Sequence, residues 1–152
     1  MLKPPVKLEE LSEEYNGDRI LDKDNLDLEL LKIPSLTSKY LTILAHHRMI
    51  THSLEEKYRV MREKRAAYYR GEYCLEDLEK EGWDQYQGNK ITMPSAVKEV
   101  LDNDSVLVPI LLKREMNQVI IKNVEDIVKE LNNRGYNIGR AIDHRKFFKG
   151  MN

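Results

Sequence analysis

SLTSKYLTILAHHRMITHSLEEKYRVMREKRAAYYRG, Ser35 to Gly71, is the stretch whose period decides the fold. Its less polar positions are Leu36, Tyr40, Ile43, Ile50, Leu54, Met61 and Tyr68; with His47, Lys57 and Arg65 filling the gaps, every step is 3 or 4 residues. Such steps keep side chains on one face of a helix. The spacing predicts a helix over 35–70 with Gly71 as its stop. A seam interrupted by polar residues packs on a partner helix and leaves one end wet. Here the wet end is the basic one.

Working outward, Leu8, Leu11 and Tyr15 predict a short amphipathic helix ended by Asn16-Gly17, after an extended, loose start at Pro4-Pro5. Asp22 or Asp24 caps a segment from Asn25 to Lys32, which Pro34 ends or bends. Beyond Gly71 the pattern predicts a short helix over Leu75 to Glu81, a loop, and another short helix from Pro94 to about Leu101. Asn103 and Asp104 are caps for a second long helix, 104–134, with Gly135 as terminator and a last helix over 138–148. The fold class is all-α: two long antiparallel helices with short accessory helices. Residues 1–24 read as an acidic N-terminal extension and 25–152 as a single helical domain.

The second long helix begins unusually. Val106, Leu107, Val108, Ile110, Leu111 and Leu112 surround the axis with no charge before Lys113. A helix apolar on all sides needs cover on all sides, and a chain of 152 residues has few elements to supply it. Contact with another copy of the chain is the expected source, helped by Ile142 and Phe147 of the last helix.

A formal net charge of −1 gives no gross pull toward nucleic acid, so any attraction must come from uneven placement. The charges do fall in blocks. Residues 9–29 and 72–84 are acidic, whereas 57–70 holds Lys57, Arg59, Arg62, Lys64, Arg65 and Arg70 against Glu63 alone. Tyr58, Tyr68, Tyr69 and Tyr73 are interleaved with those cations. Cations attract phosphate and tyrosine rings stack on unpaired bases, a mixture that suits single-stranded nucleic acid. The structural alternative is a solvated helix end with Tyr68 and Tyr69 in the core, and composition alone does not separate the two. Arg140, His144, Arg145, Lys146 and Lys149 form a second basic patch.

Other chemistry lacks its signatures. There is no G-x-x-x-x-G-K-[ST] and no G-x-G-x-x-G after a strand, which argues against nucleotide hydrolysis. His46 and His47 are adjacent and His47 and His52 are five apart, so no pair shares a helical face as metal ligands would; they read as ordinary helix histidines. Glu55, Glu56 and Glu63 each have Lys or Arg within four positions and read as surface ion pairs rather than catalytic carboxylates. The single Cys74 excludes an internal disulfide, fits a reducing cytosol and reads as a packed thiol. The opening residues lack an apolar signal region, and no run of about 18 apolar residues predicts a membrane span. No enzyme, cofactor or metal is expected.

Two segments carry a family resemblance: REKRAAYYRGEY (Arg62 to Tyr73) and VKELNNRGYNIGRAIDHRKFFKG (Val128 to Gly150). In this order, with a charge-poor long helix between them, they resemble the phage recombination mediators of the UvsY type, from roughly Leu26 to the C-terminus. The resemblance implies a protein that binds single-stranded DNA, weakens the hold of single-strand binding protein and helps a RecA-like recombinase assemble its filament, in homologous recombination and repair. It implies small homo-oligomeric rings, hexameric or heptameric, in the cytoplasm of an infected host cell. The family's basic DNA-contact pair sits just ahead of the Tyr-Tyr; its second member maps onto Arg65, and its first falls at Glu63, flanked by Arg62 and Lys64.

Together these readings make Lys57, Arg59, Arg62, Lys64, Arg65 and Arg70 the expected phosphate contacts, with Tyr68 or Tyr69 stacking on a base or orienting the helix end. A ring repeats such a patch around an axis, so many weak contacts engage one strand. The alternative is a helical protein-interaction adaptor that binds no nucleic acid.

Overall fold

A computed structural model describes residues 5–150. Among them every regular element is a helix, and there are five: α1 (Leu8–Asp18), α2 (Leu26–Tyr69), α3 (Leu75–Glu81), α4 (Pro94–Asp102) and α5 (Leu107–Lys149). Pro4, read as part of a loose start, lies outside the described residues. The contacts divide the chain into two compact units: the described residues up to Ile50 with those from Asn117 on, and Thr51–Met116.

In the first unit, α1, the expected short helix of the acidic N-terminal extension, packs into the core. Leu11 and Tyr15, one turn apart, are buried with Tyr40, Ile43 and Leu44 of α2 and with Val124, Ile127 and Leu131 of α5. Tyr40 is fully buried; its hydroxyl donates to Asp18 Oδ2 at 2.7 Å and its ring meets Tyr15 edge-on at 5.6 Å between centroids. Burial, reinforced by the Asp18 carboxylate, pushes the Tyr40 phenol well above its ordinary value. Lys39 binds both Asp18, at 2.7 Å, and Glu14. Two of the carboxylates that make the N-terminal extension acidic, Glu14 and Asp18, thus also hold it against α2.

His47 fills the polar gap in the seam. Its Nε2 accepts the Val6 backbone N–H at 3.2 Å, and its Nδ1–H donates to Asn117 Oδ1 at 2.6 Å. Asn117 Nδ2 in turn donates to the His47 carbonyl at 2.8 Å. A buried polar group needs such partners. This histidine is a core hydrogen-bonding residue.

Both long helices outrun their expected limits. Helix α2 starts at Leu26 rather than 35 and continues through Pro34, which forfeits one backbone hydrogen bond while its neighbours Ile33 and Leu36 pack against the first core. Helix α5 absorbs the expected last helix, passing Gly135 and Asn137 without a break. Burial decides this: Leu131 and Ile138 lie on one face, 0% and 4% exposed, and their packing outweighs about 1 kcal/mol of glycine propensity. Gly135 faces Ile33, and a Cβ there would meet Ile33 Cγ2 at an ordinary 3.5 Å. Gly135→Ala is therefore expected to stabilise the protein by about 0.5–1 kcal/mol, read as a rise in thermal midpoint. A lowered midpoint would mean that the Ile33 contact has no room to adjust.

In the second unit α3 occupies its expected range, Leu75–Glu81, and α4 begins at Pro94 as expected. Helix α2 ends where Gly71 takes φ 73°, a left-handed conformation that costs glycine nothing. The Gly71 N–H donates to the Tyr68 carbonyl and the Glu72 N–H to the Ala67 carbonyl, closing the helix end. Tyr68, Tyr69, Leu78, Val97, Leu101 and Leu107 form this unit's core. The apolar start of α5 finds part of its cover here: Leu107 and Ile110 are buried, while Leu112 is 54% exposed.

Candidate nucleic-acid interface

The basic end of α2 lies in the second unit, and its cations fall into three environments. Arg65 is buried, 6% exposed. Its Nε donates to Asp104 Oδ2 at 2.8 Å and its Nη2 to the Tyr69 hydroxyl at 3.2 Å, while Tyr69 donates to the same Asp104 oxygen at 2.7 Å. The guanidinium also lies 4.2 Å from the Tyr68 ring centroid and 4.6 Å from that of Trp83. Asp104 Oδ1 meanwhile accepts the backbone N–H groups of Val106 and Leu107, at 2.8 and 3.0 Å, which caps α5. Burial by itself raises the Asp104 carboxyl. The hydrogen bonds from Tyr69, Arg65 and the two backbone N–H groups together outweigh it and hold the carboxyl below the usual range. Arg65, the residue to which the resemblance assigns a DNA contact, sits in the core as the cation that ties α2 to the start of α5.

Tyr68 and Tyr69 are each 9% exposed. Tyr68 meets Tyr69, Tyr73, Trp83 and Tyr86 edge-on, with centroids 5.2–6.4 Å apart, and its hydroxyl donates to the Asp84 carbonyl at 2.9 Å. They orient the helix end and present little free ring face.

The remaining cations reach solvent. Arg59 bridges Glu56 at 2.6 Å and Glu63 at 3.3 Å, and Arg70 binds Glu72 at 2.8 Å. Lys64 is paired with Glu81. Lys57 and Arg62 are exposed and make no ion pair among the described residues. At 3.6 residues per turn, Arg59 and Arg62 fall on one edge of α2, which Arg70 continues just past the last helical residue, and Lys57 and Lys64, seven apart, fall on the other. The six cations of one sequence block therefore become two edges and one buried pair. The pairs on either edge are screened by solvent, so each holds its cation only weakly.

In the sequence Asp104 is recognisable as a cap alone. Its second role, 39 residues from Arg65, leaves no periodic trace. Cys74, read as a packed thiol, is exposed at the start of α3, where Sγ donates to Asp77 Oδ2 at 3.0 Å. Among the residues expected at a subunit contact, Val106, Val108 and Leu111 of the second unit and Ile142 of the first are half-buried. Phe147 of the first unit is 65% exposed, beside Phe148 at 54%. Arg140, His144, Lys146 and Lys149 are exposed, and Arg145 donates to the Lys23 carbonyl at 3.0 Å. Among the described residues no His, Cys, Asp or Glu group is arranged to hold a metal, and no helix is long and apolar enough to cross a membrane.

No curated protein matches the chain. Among solved structures it is similar to crystal structures of the bacteriophage T4 recombination mediator protein UvsY. One form, at 22% identity, covers 95% of this chain and 98% of that one with a TM-score of 0.76. Another, at 21% identity, covers 93% and 98% with a TM-score of 0.75. At such identity the likeness establishes the fold, an all-helical one. The family model for the recombination, repair and single-stranded-DNA-binding protein UvsY matches residues 14–151, so α2 to α5 and the end of α1 lie inside it. With nearly its whole length accounted for by that model, the chain belongs to the UvsY family.

Proposed function

We propose that this chain is a recombination mediator. It binds single-stranded DNA and promotes loading of a RecA-like recombinase onto strands covered by single-strand binding protein, in homologous recombination and repair, without catalysis. The observation that carries this is the solvent-facing edge of Arg59, Arg62 and Arg70 on the rigid, aromatic-cored end of α2, in a chain of a single-stranded-DNA-binding family. Arg65, Tyr68 and Tyr69 set the direction of that edge, and Lys57 and Lys64 add weaker attraction from the opposite one.

The chain works as a homo-oligomeric ring built on two long antiparallel helices. Within the first unit, Ile33 lies beside Gly135 and His47 beside Asn117, so positions rising along α2 meet positions falling along α5. Exposed Leu112 and Phe147, with half-buried Val106, Val108, Leu111 and Ile142, supply apolar surface for neighbouring copies. Closure of a ring requires two different surfaces of each copy to meet. The ring multiplies a modest cationic edge into a track. Its setting is the cytoplasm of an infected host cell.

The test is a salt titration of full-length protein with a bare single-stranded oligonucleotide, followed by mass in solution with and without it. Three phosphate contacts per copy give a log–log slope of roughly −2 per protomer, at about −0.7 per contact. Salt-insensitive or absent binding would favour the adaptor reading, in which the charge blocks meet protein partners.

A further inference from the structure

The second unit holds a cleft that the phosphate edge does not use. Its volume is about 290 Å³, and Tyr68, Tyr73, Gln85, Tyr86 and Lys90 are among its lining residues. Missing side chains shape it. At Gly71 a Cβ would run into the stem of Lys90, and at Gly88 it would run into the phenol of Tyr86. The Lys90 stem therefore lies across the end of α2, and the chain at Gly88 closes directly on the Tyr86 ring. The Ile91 N–H donates to the Tyr69 carbonyl at 3.0 Å, which fastens this loop to the helix end. Tyr86 meets Tyr69 edge-on at 5.1 Å, and Tyr73 stacks on Trp83 at 5.4 Å and 28°. The walls are thus fixed before any ligand arrives, which lowers the ordering cost of binding.

The chemistry of the lining is selective. The rings pack on one another, so half-buried Tyr73 and Tyr86 offer edges more than open faces to a flat ring system. Gln85, exposed, carries both a donor and an acceptor, so it serves the edge of any base. Lys90 is exposed and makes no ion pair among the described residues, so its charge remains available to an anion. The volume is at the lower limit of the ~300–1,000 Å³ usual for small-molecule pockets, enough for one planar ring system. A flat heterocycle carrying a phosphate fits this combination better than an aliphatic or acidic peptide side chain does. The neighbouring residue Arg70 also belongs to the phosphate edge.

We propose that this cleft takes one unstacked base of the bound strand, with Lys90 on the phosphate of that nucleotide. The proposal rests on the single-strand reading above and deepens it: the backbone lies along the arginine edge and one base per copy is drawn out of the stack. The bound strand is then unstacked at regular intervals, and its binding depends on bases as well as on charge.

The experiment compares two oligothymidylate strands of equal length, one intact and one with evenly spaced abasic sites, by fluorescence anisotropy with full-length protein. The unaltered protein is expected to bind the abasic strand about tenfold more weakly. In the Gln85→Ala variant, at an exposed position, the tenfold ratio is expected to narrow to about threefold because the base-edge contact is lost, whereas Lys90→Ala is expected to weaken both strands alike because the abasic strand keeps its phosphates. Equal binding of both strands by the unaltered protein overturns the cleft proposal while strand binding stands, and turns the cleft toward a protein side chain. A Gln85→Ala variant that keeps the full discrimination also overturns it, because the base then sits elsewhere. Failure to bind either strand at low salt overturns the single-strand reading itself.

Discussion

Asp104→Ala is expected to destabilise the second unit by about 3–5 kcal/mol, because it leaves the Arg65 guanidinium buried without its counter-charge. Both side chains are nearly inaccessible, 7% exposed for Arg65 and 0% for Asp104, so solvent cannot take over the lost role. The same substitution removes the cap of α5, which alone costs about 1 kcal/mol. Trp83, the chain's one tryptophan, lies 4.6 Å from the Arg65 guanidinium and reports on this unit in a urea titration. A companion variant, Arg65→Met with Asp104→Asn, keeps a capping side chain and removes both charges. It is expected to lose much less than Asp104→Ala, since an apolar replacement of a buried pair is often near neutral. A loss below about 1 kcal/mol for Asp104→Ala would show that the pair behaves as a solvent-screened one.

The pair also fixes a pH dependence. Asp104 is held below the ordinary value of 3.8 in the folded protein. The unfolded chain therefore takes up the proton first as pH falls. The stabilisation is complete above that ordinary value and is lost as pH drops through the depressed one. Acid unfolding followed at Trp83 should begin at higher pH in a variant whose carboxyl has lost Tyr69 as donor, Tyr69→Phe, than in the unaltered protein.

The second large effect concerns DNA. Arg59→Ala with Arg62→Ala is expected to weaken single-strand binding at low salt on the order of 10–100-fold and to reduce the salt slope by roughly 1.4 per protomer, two contacts at about 0.7 each. Helicity should be unchanged, since Arg59 is joined only to exposed Glu56 and Glu63 and Arg62 makes no ion pair among the described residues. Lys57→Ala with Lys64→Ala removes the same charge from the opposite edge and is expected to have the smaller effect. An equal loss in the two double variants would mean that the strand responds to net charge and follows neither edge. Arg65→Ala is uninformative as a binding variant, because it also unseats Asp104 and the α5 cap. A DNA defect from that substitution would measure unfolding of the support, not a missing phosphate contact.

The helical fold was legible because it rests on period. Steps of 3 and 4 from Leu36 to Tyr68 placed Tyr40, Ile43, His47 and Tyr68 on one face, and all are buried. The limits of the long helices were less legible. Pro34, Gly135 and Asn137 are local breakers, and their local cost is small against the packing of Ile33, Leu131 and Ile138. What holds the acidic N-terminal extension in place was illegible for a related reason. Counting charges along the chain does not reveal that Glu14 and Asp18 close on Lys39.

The chain's residues by themselves determined the helical class, the basic block ahead of Tyr68-Tyr69, and the family pattern, because all three are written in spacing along one strand of covalent structure. Only the tertiary structure decided which of those cations face water. Burial and ion pairing depend on residues far apart in the chain, and the 39-residue separation of Arg65 from Asp104 places the most suggestive arginine of the block in the core and leaves Arg59, Arg62 and Arg70 outside.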